Sequence, residues 1–301
     1  MISVVICTFN RFNLLKSTLD SLIDQTNKDF ELIIVDNNSK DETSTVADLY
    51  SYFFAEFKYI VELNAGLSYA RNRGVLESTY EYVAFIDDDV LLPSTWAANV
   101  LEVSVNKSPD IFGGPVFPYY PKDKPDWYKD EYISFYCGNI PRYLNENETL
   151  IGCNFVVKKD VFERIGWFRT DLGMIENTIL YSEETEFQMR YRKINKTSFV
   201  YYFPKISIYH YVRPEKMTII WNIRAFIGKG KSNYLKSEAA KTYRQSNFRF
   251  FVLINELIKI FVIALYGIFF RSRKDYPIFS NFLMERLAGN FKKLGWIFAQ
   301  I

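Results

Sequence analysis

Short apolar runs alternate with helical patterns along the first third of the chain. Apolar residues at helical spacing follow the first run, Asp41 can open a second helix, and a third ends near Gly74. Strands that alternate with helices predict a mostly parallel sheet with right-handed crossovers. The predicted strands are Ile2 to Cys7, Phe30 to Val35, Tyr59 to Glu62 and Val83 to Ile86.

Three acidic residues, Asp87, Asp88 and Asp89, directly follow the fourth predicted strand. Their carboxylates repel one another and are costly to bury unless a positive group is bound beside them. Ligands in open α/β sheets bind at the carboxyl ends of the strands. A divalent metal that carries a phosphorylated ligand is therefore the expected occupant. The alternative is a solvated acidic turn before a helix, whose first turn Pro93 would suit.

Polar side chains also end the first two strands: Thr8 and Asn10 follow the first, and Asp36 follows the second. An acceptor such as Asp36 suits a ribose or a base, and a diphosphate requires a metal together with a cation such as Arg71. No dinucleotide-binding or P-loop glycine motif occurs, so those sites lose support. We interpret the set as a nucleotide-diphosphate site, although each residue alone could be a helix cap or a turn residue.

The segment from Tyr181 to Arg192 predicts a helix that starts with Glu183, Glu184 and Glu186. The helix dipole favours acids in a first turn, but three in four positions exceed what it needs. His210, the one histidine of the chain, ends an apolar strand. Two aspartates and a histidine make a plausible Mn²⁺ or Mg²⁺ set, whereas a lone histidine is more often structural.

Residues 108 to 150 combine prolines with many aromatic side chains. This composition predicts a loop-rich wall rather than regular structure. Aromatic faces suit sugar rings, so we expect at least one of these side chains to line an acceptor cleft. The alternative for each single ring is that it only fills the core.

The 301-residue chain is 49% hydrophobic and 24% charged, which fits one large α/β domain plus an appendage. Its net charge of +2 conceals a basic tail: residues 213 to 301 carry 16 Lys and Arg against 5 Asp and Glu. Cys7, Cys137 and Cys153 lack metal-ligand spacing and predict small buried residues in a reducing compartment. The chain begins with an apolar strand and not with a basic signal-peptide start, so we expect a cytoplasmic catalytic body.

The segment Phe248 to Phe270 is very apolar, but its uninterrupted run from Ile260 has 11 residues, fewer than the roughly 20 that span a bilayer. Arg249, Glu256 and Lys259 share one helical stripe. This pattern predicts an amphipathic helix that lies in the plane of an anionic membrane. The alternatives are docking on the catalytic body or on a second subunit of a homodimer. Nucleic acid is disfavoured, because long aliphatic runs interrupt the basic tail and the body is acidic.

Seven segments, 3–11, 35–39, 64–74, 87–89, 152–155, 165–168 and 182–187, carry an ordered set of motifs that resembles family-2 glycosyltransferases. Those proteins are inverting enzymes of the GT-A fold, and the resemblance covers about residues 1 to 225. It implies that Asp36 contacts the nucleoside, that Arg71 contacts the nucleotide, and that Asp87 and Asp89 bind the metal on the diphosphate. His210 falls where many relatives carry a histidine and is a third candidate for metal or diphosphate contact. The remaining donor-side residues implied are Thr8, Asn10, Asn64 and Asp88.

The resemblance also places a general base in the acidic helix, within a Glu-Asp-x-Glu pattern. Glu184 occupies the position of the usual aspartate and is one methylene longer. Glu184 is therefore the favoured base and Glu183 the alternative, with Glu183 otherwise assigned to acceptor binding. Asn154 and Trp167 are the other implied acceptor contacts.

These observations predict an inverting, metal-dependent glycosyltransferase that moves a sugar from a nucleotide-diphosphate sugar, most simply a UDP-sugar, to a hydroxyl of a saccharide or lipid-linked saccharide. We expect a GT-A catalytic domain over residues 1–215, with a nucleotide-sugar half (about 1–105) and an acceptor half (106–215). Residues 216–301 should form a basic helical extension at the inner face of the cell membrane. The alternatives are transfer to a polyprenyl phosphate and a non-catalytic sugar- or nucleotide-binding protein.

Overall fold

The structure is a computed structural model that describes residues 1–175, 178–194, 199–237 and 248–300; for Phe248 and Arg249 it describes the backbone alone. The strands are β1 (Ile2–Thr8), β2 (Phe30–Asp36), β3 (Phe57–Val61), β4 (Tyr82–Asp87), β5 (Val90–Leu91), β6 (Ile111–Gly113), β7 (Val116–Tyr119), β8 (Arg142–Tyr143), β9 (Asn154–Lys158), β10 (Val200–Tyr202) and β11 (Ile208–Tyr211). The helices are α1 (Phe12–Ile23), α2 (Val46–Tyr50), α3 (Leu67–Glu77), α4 (Trp96–Asn106), α5 (Lys159–Ile165), α6 (Glu183–Ile194), α7 (Ile219–Lys236), α8 (Phe248–Phe270) and α9 (Phe279–Phe298).

The larger sheet contains eight strands in the order β3-β2-β1-β4-β9-β6-β10-β8. The adjacent pairs β3–β2, β2–β1 and β1–β4 are all parallel, and β6 is parallel to β10. These pairings confirm the predicted mostly parallel sheet. Strand β9 lies antiparallel between β4 and β6, and β8 is antiparallel to β10. Residues 108–150 contain only short elements, as their prolines predicted.

The register of the parallel strands brings their polar ends to one edge. Thr8 lies opposite Asp36 across the β1–β2 pair, and Cys7 lies opposite Asp87 across the β1–β4 pair. Each strand therefore includes a polar residue that the apolar pattern had placed just beyond it. This edge carries the candidate site.

Both faces of the larger sheet are buried, as the apolar strands predicted. Alternate residues of β1 divide between the two faces. Ile2, Val4 and Ile6 pack with one cluster that includes Leu19 of α1 and Trp96 of α4. Val5 faces a second cluster that contains residues of α3, α5 and α6, among them Phe162 and Phe187.

A smaller sheet has the order β5-β11-β7. Strand β11 is antiparallel to β5 and parallel to β7, with His210 opposite Val90. Because β5 directly follows the acidic turn, this pairing fixes a late segment of the chain beside Asp87–Asp89.

Several predicted element bounds were wrong. Strand β3 is Phe57–Val61 and not Tyr59 to Glu62, and α6 is Glu183–Ile194 and not Tyr181 to Arg192. Helix α4 begins at Trp96, so Pro93 is not in its first turn as the alternative for the acidic turn supposed; the Trp96 backbone N–H donates to the Pro93 carbonyl at 2.9 Å. Pro93 therefore lies in the turn that precedes the helix.

The chain divides into two compact units. The first contains residues 1–119, 130–170 and 183–211, and with them both sheets; the second contains residues 120–129, 171–182 and 212–301, with α7, α8 and α9. In the second unit α7 and α9 approach closely: a Cβ added at Gly230 or Gly295 would lie 1.9 Å from a backbone oxygen of the opposite helix. The predicted boundary between residues 215 and 216 stays a prediction.

Helix α8 bears on the expectation that its segment is too short to span a bilayer. Residues Phe250–Phe270 are long and apolar enough to cross a membrane by length and composition. The expectation was wrong, because a helix of this length tolerates a few polar interruptions of its apolar run. The Arg249 side chain of the predicted polar stripe lies outside the described residues.

We predict that Gly74→Ala destabilises the protein, because α3 packs directly on β1 at this point. A Cβ at Gly74 would lie 2.3 Å from Cγ1 of Val5, a fully buried and stiff β-branched side chain. Overpacking of this kind costs about 1–3 kcal/mol, which exceeds the gain of roughly 0.5–1 kcal/mol from removing a helical glycine. The measurement is urea unfolding.

Gly289→Ala is the matched control, because among the described residues no atom outside the adjoining backbone of α9 lies within 4 Å of a Cβ at that position. It should be neutral or stabilising by roughly 0.5 kcal/mol. Equal unfolding free energies for the two variants would show that α3 and β1 are not tightly packed.

Candidate active site

The acidic turn between β4 and β5 holds three carboxylates in different environments. Asp87 ends β4 and keeps 32% of its side chain exposed, whereas Asp88 and Asp89 are buried. Two buried carboxylates side by side require compensating charge. Only Asp87 of the three presents substantial surface to a ligand.

Arg11, in the loop after β1, supplies part of that charge. Its Nη1 atom donates to Asp88 Oδ1 at 2.7 Å and lies 3.5 Å from Asp89 Oδ2. Burial raises the pKa of Asp88 above its ordinary value, and the Arg11 guanidinium opposes that shift. Arg11 therefore supplies part of the positive charge that the acidic pattern required. Sequence reasoning assigned Arg11 no role, although it is the cation nearest to the end of β1.

His210 reaches the turn through the β5–β11 pairing. The Tyr211 backbone N–H donates to the Asp89 carbonyl at 2.8 Å, which holds β11 against the acidic turn. His210 Nε2 lies 3.2 Å from Asp89 Oδ1 and 4.0 Å from Asp87 Oδ2. The three residues predicted to hold a metal are thus brought together.

Arg71 projects from α3 and is buried between two carboxylates. Its Nη2 atom lies 3.3 Å from Asp87 Oδ1, and its Nη1 atom pairs closely with Glu183 Oε1. Burial would lower the pKa of Arg71, but the Glu183 and Asp87 carboxylates raise it above its ordinary value. Gly152 packs on the guanidinium, since a Cβ there would lie 2.8 Å from Nη2. Arg71 is therefore a fixed, permanent cation.

The three glutamates at the start of α6 lie in three different environments. Glu183 is buried on Arg71, and Glu186 pairs with Arg190 one turn later at 2.8 Å. Glu184 lies between these two residues in the sequence and is half-buried. It is close enough to Arg71 to raise the pKa of the Arg71 guanidinium. The two candidate bases thus differ in access: Glu184 is partly exposed, and Glu183 is not.

Asp36 and Asn10 shape the loop after β2. Asp36 is buried and accepts hydrogen bonds from the Ser39 backbone N–H at 2.8 Å and from Tyr59 Oη at 2.6 Å. Asn10, with a positive φ of 52°, accepts from the Lys40 backbone N–H at 2.7 Å. Thr8 is buried at the end of β1. These residues lie at the predicted donor edge, and their roles toward a ligand stay predictions.

Asn37 is a further residue that sequence reasoning missed. Its side-chain amide donates to the carbonyls of Glu62 and Asn64, and its Oδ1 atom accepts from the Gly66 backbone N–H at 2.7 Å. Asn64 is exposed and donates through its side chain to Glu62. Asn37 thus holds the loop that leads into α3, the helix that carries Arg71.

Asn154, which the resemblance implied as an acceptor contact, lies in the interior of the first unit, and that contact stays a prediction. This side chain is fully buried, accepts from Trp96 Nε1 at 3.2 Å, and donates to the carbonyls of Ile206 and Pro115 at 2.6 and 3.2 Å. All of these bonds are structural. Trp167 is 41% exposed, and its ring packs near that of Phe162. An acceptor contact by Trp167 stays a prediction.

Cys153 is buried, as predicted, and it also lies within the site. One ligand atom from each of Asp87, Cys153 and His210 falls within 4.8 Å of the other two. The thiol is buried, and burial raises its pKa well above the ordinary value. Its position in the Gly152–Phe155 motif, at the start of β9 beside β4, was the available signal.

The arrangement fits a divalent cation. Five carboxylates, Asp87, Asp88, Asp89, Glu183 and Glu184, face two guanidinium groups, Arg11 and Arg71. The remaining negative charge and the mixed oxygen and nitrogen donors match what Mn²⁺ or Mg²⁺ accepts.

Comparison with known proteins bears on this geometry. The family model described as glycosyl transferase family 2 matches residues 3–166, more than half of the chain. The chain belongs to glycosyl transferase family 2. The matched span includes Asp36, Arg71 and the acidic turn, but α6 and His210 lie beyond it.

Curated relatives are similar over parts of their length. A glucosyl-dolichyl phosphate glucuronosyltransferase of Haloferax volcanii is 29% identical over 179 residues, 57% of each chain. A cholesterol galactosyltransferase of Borreliella burgdorferi is 35% identical over 107 residues, 36% of this chain and 29% of the relative. This family-2 chain therefore spans little more than half of one relative and less than a third of the other.

Solved structures share the fold. Staphylococcus aureus TarS 1–349 aligns over 99% of this chain and 90% of its own, with a TM-score of 0.55 and 14% identity. The mannosyltransferase PcManGT of Pyrobaculum calidifontis aligns over 99% and 85%, with a TM-score of 0.57 and 16% identity. Together with the family match, these likenesses confirm the predicted GT-A fold.

We predict that Glu183→Gln destabilises the protein by about 3 kcal/mol, because removing one partner of a buried ion pair leaves the other uncompensated. Arg71 would keep only its longer contact with Asp87. Glu184→Gln, one residue along the same helix, should change the unfolding free energy by less than about 1 kcal/mol. Guanidinium unfolding of both variants is the measurement, and a larger loss for Glu184→Gln would contradict the described geometry.

Proposed function

We propose that this protein is an inverting, metal-dependent glycosyltransferase that moves a sugar from a UDP-sugar to a hydroxyl of a saccharide or lipid-linked saccharide. The observation that carries the proposal is the meeting of Asp36, the Asp87–Asp89 turn, Arg71 and Glu184 at the carboxyl edge of β1, β2 and β4. This edge is where open α/β sheets bind ligands.

The solved relatives support a nucleotide-sugar donor. TarS was solved with UDP-GlcNAc and with UDP, GalNAc-T7 with UDP, GalNAc and Mn²⁺, and PcManGT with GDP-Man and Mn²⁺. We assign the nucleoside to the loop around Asp36, whose carboxylate is already oriented by Ser39 and Tyr59.

Asp87, Asp89 and His210 would hold the cation. His210 Nε2 lies 3.2 Å from an oxygen of Asp89 and 4.0 Å from an oxygen of Asp87, a spacing that small movements could close around an ion. When bound, the cation neutralises the charge that builds up on the leaving diphosphate.

Arg71 adds a second positive charge at a fixed position. Because Glu183 and Asp87 hold its guanidinium from two sides, little reorganisation is needed when a diphosphate arrives. Arg11 has an indirect role in this proposal, because it holds Asp88 and Asp89 in place. Glu183 is in this account a positioning residue for Arg71.

Glu184 is the proposed general base. It would remove the proton of the acceptor hydroxyl while that oxygen attacks the anomeric carbon on the face opposite the diphosphate, which inverts the configuration. Its partial exposure admits an acceptor, and the N-terminal end of α6 favours its ionised form. No covalent enzyme intermediate is required.

Two relatives support a lipid-linked acceptor, since their names specify glucosyl-dolichyl phosphate and cholesterol. Such acceptors place the enzyme at a membrane, and we propose the cytoplasmic face. Transfer to a polyprenyl phosphate is the alternative. Such a phosphate acceptor is already ionised, so that reaction would need no base.

The first test is a screen of nucleotide sugars for metal-dependent release of the nucleotide diphosphate, followed by calorimetric titration of that nucleotide with Mn²⁺. Asp89→Asn should weaken the metal-dependent affinity by at least about tenfold, because it removes a proposed ligand. Asp160→Asn, an exposed acid at the start of α5, is the control and should bind like wild type. Equal binding by both variants would remove Asp89 from the site.

The second test concerns the base. Glu184→Gln should lower turnover by roughly 10²-fold or more while nucleotide affinity stays near wild type. Glu183→Gln, compared at equal folded fraction, should weaken nucleotide binding through Arg71. If Glu184→Gln retains full turnover, Glu184 is not the base: loss of turnover in Glu183→Gln would then make Glu183 the base, and full turnover in both variants would favour a polyprenyl phosphate acceptor that needs none.

A further inference from the structure

Helix α8 has one packed face and one exposed apolar face. Leu253, Ile260 and Ile263 pack in the cluster that contains α9 residues Leu287, Phe291 and Leu294. Residues on the opposite side, here called the outer face, recur every three or four positions along the helix. It consists of Phe251, Ile254, Ile258, Phe261, Leu265 and Phe269, and its three phenylalanines are 64–72% exposed.

A buried polar contact fastens α8 to α9. Glu256 is 2% exposed and accepts from Asn290 Nδ2 at 2.6 Å, and Lys293 Nζ lies 2.9 Å from its second oxygen. Inside a bilayer, separating the helices would leave the Glu256 carboxylate in hydrocarbon without these partners, which is costly. Helix α8 therefore stays alongside α9.

This attachment argues against α8 crossing a bilayer, although its length and composition allow it. Helix α9 would accompany α8 into the hydrocarbon, and it carries Glu285, Arg286, Lys292 and Lys293. Charged side chains at that depth are expensive. Helix α9 is in turn held against α7 by the close backbone approach at Gly230 and Gly295.

Cations border the outer face. Lys259 is exposed on its flank, and Arg273 and Lys274 are exposed just beyond the end of α8. The sequence from residue 213 onward carries 16 Lys and Arg against 5 Asp and Glu. Large apolar side chains with basic neighbours match the boundary between acyl chains and anionic headgroups.

We infer that the outer face of α8 docks on an anionic lipid bilayer, with the helix lying in the plane of the headgroups and held on α9 by Glu256. This surface belongs to the second unit, and the inference does not rest on the proposed transferase activity. An amphipathic helix in this position gains free energy from apolar burial and from attraction to anionic lipid, and salt screens the second contribution.

The test uses the full chain in flotation with mixed phosphatidylcholine–phosphatidylglycerol vesicles. Wild type should co-float at low salt, and less with pure phosphatidylcholine or at high salt. The triple variant Phe251→Asp, Phe261→Asp, Phe269→Asp should bind at least about tenfold less. The matched control places the same three charges at exposed apolar positions of the first unit: Tyr52→Asp, Val105→Asp, Ile140→Asp.

Binding by the triple variant equal to that of its control would overturn the inference. So would a wild-type chain that ignores vesicles and forms a dimer that the triple variant dissociates in sedimentation equilibrium. Nucleotide-diphosphate release in lipid-free buffer should be unchanged in the triple variant, so failure of membrane binding and failure of the proposed activity are separable.

The in-plane orientation has its own readout. Phe251→Cys and Phe269→Cys place a fluorescent label at either end of α8, with the labelled unsubstituted chain as background. On preformed vesicles, externally added dithionite should bleach both labels. Protection of one end would show that α8 spans the bilayer and would overturn the in-plane geometry.

Discussion

The burial of carboxylates at one strand end is the constraint on which the candidate site depends. Asp88 and Asp89 are buried side by side, and neither could remain ionised there without nearby positive charge. Arg11 supplies it from the loop after β1. Arg71 does the same for Asp87 and Glu183 and thereby connects the sheet edge to the start of α6. The ion pairs that compensate the buried negative charge also position the carboxylates.

The same constraint explains why both sheets are needed. The larger sheet aligns the ends of β1, β2 and β4, but it supplies no imidazole at that edge. The smaller sheet brings His210 opposite Val90, directly after the acidic turn. Its backbone bond from Tyr211 to Asp89 then fixes the distance between histidine and carboxylates. Backbone pairing thus brings the imidazole of His210 beside the carboxylates of the acidic turn.

The two units solve different burial problems. In the first, the central strands of the larger sheet are covered on both faces, so their apolar residues are hidden from solvent. In the second unit, one side of α8 packs on α9 and the opposite side of α8 is exposed. Glu256 shows the contrast well, because a carboxylate is buried there to fasten a helix whose outer face is apolar. Large exposed apolar surfaces of this kind mark sites of interaction with a membrane or another protein.

The sequence determined the features that depend on local pattern: the parallel strands, the polar residues at their ends, and the acidic start of α6. Strand length and alternation are visible in the chain itself, which is why Asp36 and Asp87 could be placed at one edge in advance. Only the tertiary structure showed that Arg11 faces Asp88, that Cys153 reaches the site, and that Asn154 is buried and donates to backbone carbonyls. Nothing local separates the adjacent Glu183 and Glu184, because which one is buried depends on the rotation at which α6 packs against Arg71. Packing between distant segments decides burial, and burial decides what a charged side chain can do.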